Sequence, residues 1–142
     1  MGPILSLKLG LMGLGAYVYL KLYVKQNAAF CGSILYAFCG FSIYSLPYNH
    51  FHEAMIVFPF LLFALEMRMR SNLQVWFAVF VCLSALVNYY FFIGQAIFLV
   101  LYWIVNILSK SWELSARNVV GTIIEAVLGT LAAAVLLLTS FL

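Results

Sequence analysis

The chain has 142 residues, 67% of them hydrophobic and 8% charged, with a formal net charge of +3. A soluble globular domain is roughly 45–50% apolar and about 25% charged. This composition therefore excludes a water-soluble fold, a soluble catalytic domain and a disordered chain. At about 20 residues per bilayer crossing, the length allows at most about six or seven spans with little left for loops.

Six apolar segments follow one another. The first runs from about Ile4 to Tyr23, with Lys8 near its start, and the second from about Ala28 to Leu46. A third starts near Glu53 and ends near Met67, with Pro59 inside it. The stretch from Leu73 to Leu108 is 36 residues without a charge. As one helix it would be about 54 Å long, against a hydrocarbon core of about 30 Å, so it must break. Asn88-Tyr89-Tyr90 to Gly94 is the natural place: a polar residue, interfacial aromatics, then a glycine. This divides the stretch into a fourth segment, Leu73 to Val87, and a fifth, Gly94 to Leu108. Segments three to five are short for full spans, so flanking aromatics extend them or one pair is re-entrant. The sixth runs from about Val119 to Leu142. The fold class is thus all-α: a polytopic transmembrane helical bundle of about six spans, read as one transmembrane region over residues 1–142.

Charge placement tests that division. Lys21 and Lys25 separate segments one and two, Arg68 and Arg70 separate three and four, and Lys110 and Arg117 separate five and six. In a six-span chain those loops share one side, which the positive-inside rule makes cytoplasmic. The opposite, outer face carries Tyr48 to Glu53 and the Asn88 to Ile93 turn, without Lys or Arg. Both chain ends then lie outside. With no signal peptide ahead of the first span and an apolar end at Leu142, the reading is a fragment of a larger membrane protein. The N-terminal Met1-Gly2-Pro3-Ile4-Leu5-Ser6 fits a bare myristoylation pattern. Pro3 is a poor neighbour, and one acyl chain adds little to a spanning protein. No basic stripe faces water, so nucleic acid is not an expected partner.

The densest polar cluster is the outer loop Leu46-Pro47-Tyr48-Asn49-His50-Phe51-His52-Glu53, which holds both histidines. His50 and His52 with Glu53 are a candidate divalent-metal set, and Glu53 alone is a candidate base or hydroxyl ligand. The competing reading of Glu53 is a cap on helix three, where the helix dipole favours an anion. Asn88 fits a helix break, where its side chain satisfies freed backbone groups. Tyr89 and Tyr90 fit either an interfacial belt or stacking on a sugar or headgroup. Gly121, Glu125, Gly129 and Ala133 step by four along segment six and predict a close helix contact with a buried acid in it. Ala28, Gly32 and Gly40 predict a similar packing face on segment two. Glu66 and Arg70 form a structural i,i+4 pair, and Lys8 snorkels or pairs. Cys31, Cys39 and Cys82 have no CxxC or zinc spacing and read as small buried hydrophobes. No nucleophile elbow, P-loop, dinucleotide fingerprint or HExxH motif occurs.

Four stretches in series resemble the bacterial YfhO family of membrane proteins. They are Leu7-Lys8-Leu9-Gly10-Leu11-Met12-Gly13-Leu14, Leu35-Tyr36-Ala37-Phe38-Cys39-Gly40-Phe41, Asn49-His50-Phe51-His52-Glu53-Ala54-Met55 with Pro59 after it, and Asn88-Tyr89-Tyr90 with Gly94. The resemblance covers roughly Leu5 to Leu108. It implies a GT-C-type glycosyltransferase that moves a sugar from a polyprenyl-phosphate carrier to an envelope polymer, such as teichoic acid, on the outer face. It also implies that the main catalytic acid stands in a first external loop ahead of Met1, so that this stretch would be inactive alone. Glu53 falls where the family usually has Asp in its second external loop, and becomes the catalytic candidate here. Asn49, His50, His52, Asn88, Tyr89 and Tyr90 become the substrate-binding candidates, with the lipid-linked donor and the polymer acceptor as partners. Two other readings compete: a transporter or flippase segment, with Lys8 and Glu125 facing a central path, and a non-catalytic membrane scaffold.

Overall fold

The structure is a computed structural model that describes residues 2–71, 75–110, 112 and 115–142, with the Asn49 side chain also outside the description. Among the described residues it is helical without strands, in the order α1 (Gly2–Leu20), α2 (Gln26–Ala37), α3 (Gly40–Tyr44), α4 (Asn49–Ser71), α5 (Trp76–Val87), α6 (Tyr89–Leu108) and α7 (Ala116–Phe141). Five stretches among these residues are long and apolar enough to cross a bilayer: α1, Gln26–Tyr44 (α2 with α3), α4, α6 and α7. The 19 residues of α1 rise about 29 Å at 1.5 Å per residue, matching a hydrocarbon core of about 30 Å.

Two of the segments expected to be short are full length. Asn49 to His52 are helical and extend α4 to 23 residues. Tyr89 to Ile93 are helical and extend α6 to 20 residues. Both stretches read as polar or aromatic boundaries in sequence, yet helical backbone is the form that satisfies its own amides near lipid. Only α5 stays short, at 12 residues, or about 18 Å. Asn72, Leu73 and Gln74, the expected start of that segment, lie outside the described residues.

The chain divides into two compact units, Met1–Phe63 and Ala64–Leu142, with α4 contributing its first part to one and its last turns to the other. In the first unit α1 packs on α2, where Gly13 meets Ala37 and the Ser33 carbonyl. Gly15 is buried against Pro59 and Phe60 of α4, and an added Cβ there would stand 3.0 Å from the Phe60 ring. The inward face of α2 is Ala29, Ser33 and Ala37. This is one position round from the expected Ala28, Gly32 and Gly40, and Gly40 has nothing near it.

Pro59 has no N–H, so it leaves the Met55 carbonyl, four residues earlier, without its helical donor. The Tyr36 hydroxyl of α2 donates to that oxygen at 2.9 Å. A side chain thus replaces the missing helix bond where water is scarce, and α4 runs through its proline unbroken.

In the second unit α5 packs on α7. Thr122, Glu125, Gly129 and Ala133 are the buried residues of α7, so three of the four expected stripe positions are buried, and the fourth, Gly121, lies against Arg68. At Gly129 an added Cβ would lie 2.6 Å from the Ala78 carbonyl and 3.0 Å from Val81, so only glycine permits this approach. Asn88 divides α5 from α6 in extended backbone, and its Oδ1 accepts from the Tyr90 N–H at 3.2 Å and the Phe91 N–H at 3.4 Å. The break expected over 88–94 is therefore one residue, with Asn88 as an N-cap. The cysteines are free, with Cys31 exposed and Cys39 and Cys82 half-buried, so none of them is the fully buried small hydrophobe expected.

Candidate functional site

The first unit holds the Glu53 site. Lys8 is the seventh residue of α1 and Glu53 the fifth of α4. Lys8 Nζ lies 3.1 Å from Glu53 Oε1, with the Glu53 side chain 40% exposed and that of Lys8 16% exposed. Of the two fates expected for Lys8, pairing is the one observed. Glu53 stands beyond the first turn of α4 and is held by an ammonium, so the capping alternative does not describe it. An opposed carboxylate and ammonium at a partly open surface offer an acceptor for a hydroxyl and a donor for an anion side by side.

The neighbouring candidates point elsewhere because this stretch is helix and not loop. Residues two apart on a helix lie on opposite sides. His50 is exposed, while His52 is fully buried with Nε2 3.0 Å from the Ser42 carbonyl. Asn49 begins α4, and its side chain lies outside the description. A metal held by His50, His52 and Glu53 does not fit this arrangement. Successive side chains diverge, one imidazole nitrogen faces a carbonyl, and the carboxylate faces Lys8. Among the described residues no group of three or more His, Cys, Asp or Glu side chains is placed to hold a metal ion.

Asn88, Tyr89 and Tyr90 belong to the second unit. The Asn88 side chain is engaged in capping α6. Tyr89 and Tyr90 are exposed, and the Tyr90 ring meets Phe91 edge-on with centroids 5.7 Å apart.

The second unit also contains a charged cluster of which sequence reasoning found only parts. Arg68 and Arg70, expected in a loop, occupy the last turn of α4. Arg68 is buried, and its Nε lies 2.7 Å from Glu125 Oε1 of α7. Gly121 gives this pair room, since an added Cβ there would collide with the Arg68 guanidinium. Glu66 is completely buried and receives Arg70 Nε at 2.9 Å, Trp112 Nε1 at 3.1 Å and the Tyr102 hydroxyl. The expected i,i+4 pair of Glu66 with Arg70 is present, but it is one arm of a larger network. An acid inside an apolar segment signals that partners exist. Nothing in the local pattern names Tyr102 or Trp112 as those partners.

A family model described as bacterial membrane protein YfhO matches residues 4–142. The chain belongs to the YfhO family. The match runs past the stretches that carried the resemblance and takes in all of α7. No curated protein and no solved structure matches this YfhO-family chain. With its apolar helices, it is a multi-pass membrane protein whose surroundings are lipid.

Proposed function

We propose that this YfhO-family chain is part of an integral membrane glycosyltransferase of the GT-C type. Its donor is a polyprenyl-phosphate-linked sugar, and its acceptor is a cell-envelope polymer such as teichoic acid on the outer face. The observation that carries the reading is the half-exposed Glu53 carboxylate held by Lys8 on a chain of this family. Lys8 supplies a positive charge for a lipid phosphate, and Glu53 accepts a hydrogen bond from a sugar or acceptor hydroxyl. Lys21, Lys25, Arg68, Arg70, Lys110 and Arg117 set the orientation, with the connections after α1, α4 and α6 on the cytoplasmic side. Residues 1–142 act as one transmembrane region within the larger enzyme.

Lys8 and Glu125 were the residues a transporter path would need. Each is engaged by an opposite charge within its own unit, so no observation favours that alternative. The test is Glu53→Gln and Lys8→Met in the full-length protein, followed by sugar transfer to envelope polymer in membranes. Transfer should fall at least tenfold in both variants at unchanged protein level. Unchanged transfer by Glu53→Gln removes the site assignment.

A further inference from the structure

One face of α6 borders a cavity. Phe92, Ala96, Leu99 and Trp103 recur at the i, i+4, i+7, i+11 spacing of a single helix face. All four line a cavity of about 280 Å³ that lies within the second unit. Leu65 of α4, Phe77 and Val81 of α5 and Thr122 of α7 form its floor, and each of them is buried. Val100 of α6 and Ile123 of α7 also line it, yet they are 57% and 53% exposed. The cavity therefore has a closed floor and opens sideways between α6 and α7. Leu99 and Asn106 are the buried residues of α6, so little of this span is covered by protein within the unit.

The chemistry of the lining selects the occupant. Thr122 Oγ1 donates to the Asn118 carbonyl and Thr130 Oγ1 to the Ala126 carbonyl, each at 2.8 Å, so both hydroxyls are satisfied on α7 itself. The rest of the lining is aliphatic and aromatic, and an apolar cavity stays dry and takes apolar guests. Another helix does not fit. The Ser84 hydroxyl bonds the Gln95 side chain and the Tyr102 hydroxyl bonds Glu66, which holds α6 within side-chain reach of α5 and α4. A helix about 10 Å across cannot pass between elements tied in this way, whereas a single hydrocarbon chain can. The mouth continues into the exposed apolar surface of Ile97, Leu101 and Val127, which faces lipid in a multi-pass membrane protein. We propose that an acyl chain of a bilayer phospholipid lies in this cavity, entering between Val100 and Ile123. Its methylenes supply the dispersion contacts that complete the packing of α6 on α5 and α7. Phospholipid is the hydrocarbon that adjoins the mouth in greatest amount, and its unbranched chain is thinner than an isoprenoid. The lipid site does not depend on the glycosyl-transfer reading.

Photolabelling of the full-length protein tests this in phosphatidylcholine vesicles, with a phosphatidylcholine probe that carries a diazirine midway along one acyl chain. Illumination in the bilayer should place adducts on Val100, Ile123 and Ala126 in the cavity and on Ile97, Leu101 and Val127 outside it. After transfer to detergent, illumination should label the outer residues at least tenfold less, while the cavity residues keep at least half of their label. Loss of both sets together overturns the proposal, because the cavity then holds only exchanging boundary lipid. So does an unlabelled cavity in the bilayer, which means that protein closes the gap. Displacement of the retained probe by a tenfold lower amount of polyprenyl phosphate also overturns it, since an isoprenoid chain is then the occupant. Ala96→Phe/Ala126→Leu fills the cavity and should abolish retention while Ile97 and Leu101 are still labelled in the bilayer; retention in this variant overturns the proposal too. If the variant does not fold, retention in the unsubstituted protein decides alone. Loss of sugar transfer in Glu53→Gln with the probe still retained, or the reverse, separates this site from the proposed function.

Discussion

The two units use charge in opposite ways. In the first, Lys8 and Glu53 meet at a partly open surface, and the carboxylate keeps 40% of its side chain exposed. In the second, Arg68 and Glu125 are buried, and Glu66, with no exposure at all, is held by Arg70, Tyr102 and Trp112. A partly open pair contributes less stability than a buried one and leaves its groups free to be traded for a ligand. A buried pair is costly to break, because the surviving partner is left as an uncompensated charge in a dry interior. The first arrangement suits a binding site and the second suits a structural lock.

The largest effect should come from breaking that lock on one side. Arg68→Met or Glu125→Leu should each destabilise the protein by about 3–5 kcal/mol, read as unfolding in detergent or bilayer, whereas the double substitution should recover much of the loss. Equal losses in single and double variants would show that the charges are not what holds α4 to α7. Next in size is Gly129→Val, which forces side-chain atoms onto the Ala78 carbonyl and should cost about 1–3 kcal/mol with the charged cluster untouched. Its signature is loss of α5–α7 cross-linking between introduced cysteine pairs.

In the first unit the strongest dependence should be on Tyr36 and not on the ion pair. Tyr36→Phe strips the Met55 carbonyl of its donor and should cost about 1–3 kcal/mol. Adding Pro59→Ala restores a backbone N–H and should return part of that stability, and no recovery would refute the substitution of hydroxyl for amide. Asn88→Ala removes the α6 cap and should cost about 1 kcal/mol, measured as faster amide exchange at Tyr90 and Phe91. Smallest of all, Glu53→Gln should change stability by less than about 1 kcal/mol while sugar transfer collapses. A large stability loss there would erase the contrast between the units.

Much of this contrast was only half legible in the chain. The break at Asn88 was readable because a 36-residue uncharged helix outruns the bilayer and one polar residue stood at its middle. The face of α7 was readable because small residues recur every four positions around one acid. The face of α2 was missed by one residue, since Ala28, Gly32 and Gly40 offer as good a small stripe as Ala29, Ser33 and Ala37. The choice depends on which side α1 occupies. The candidate metal set failed for a local reason. In a loop neighbouring side chains can converge, but in the helix that Asn49 to Glu53 form, successive positions diverge by about 100°.

What the sequence determined alone was the solvent and the element type. An excess of apolar residues and a scarcity of charge leave a bilayer as the only medium, and a bilayer leaves helices as the economical way to satisfy the backbone. Partner choice belonged to the tertiary structure. Glu53 takes Lys8 from 45 residues away, Glu66 takes Trp112 from 46 and Tyr102 from 36, and Met55 takes the Tyr36 hydroxyl in place of the amide that Pro59 lacks. A buried polar group imposes on a sequence only the demand that some partner exist. Which partner answers is settled by helix packing, where small residues such as Gly15, Gly121 and Gly129 decide how closely two backbones approach.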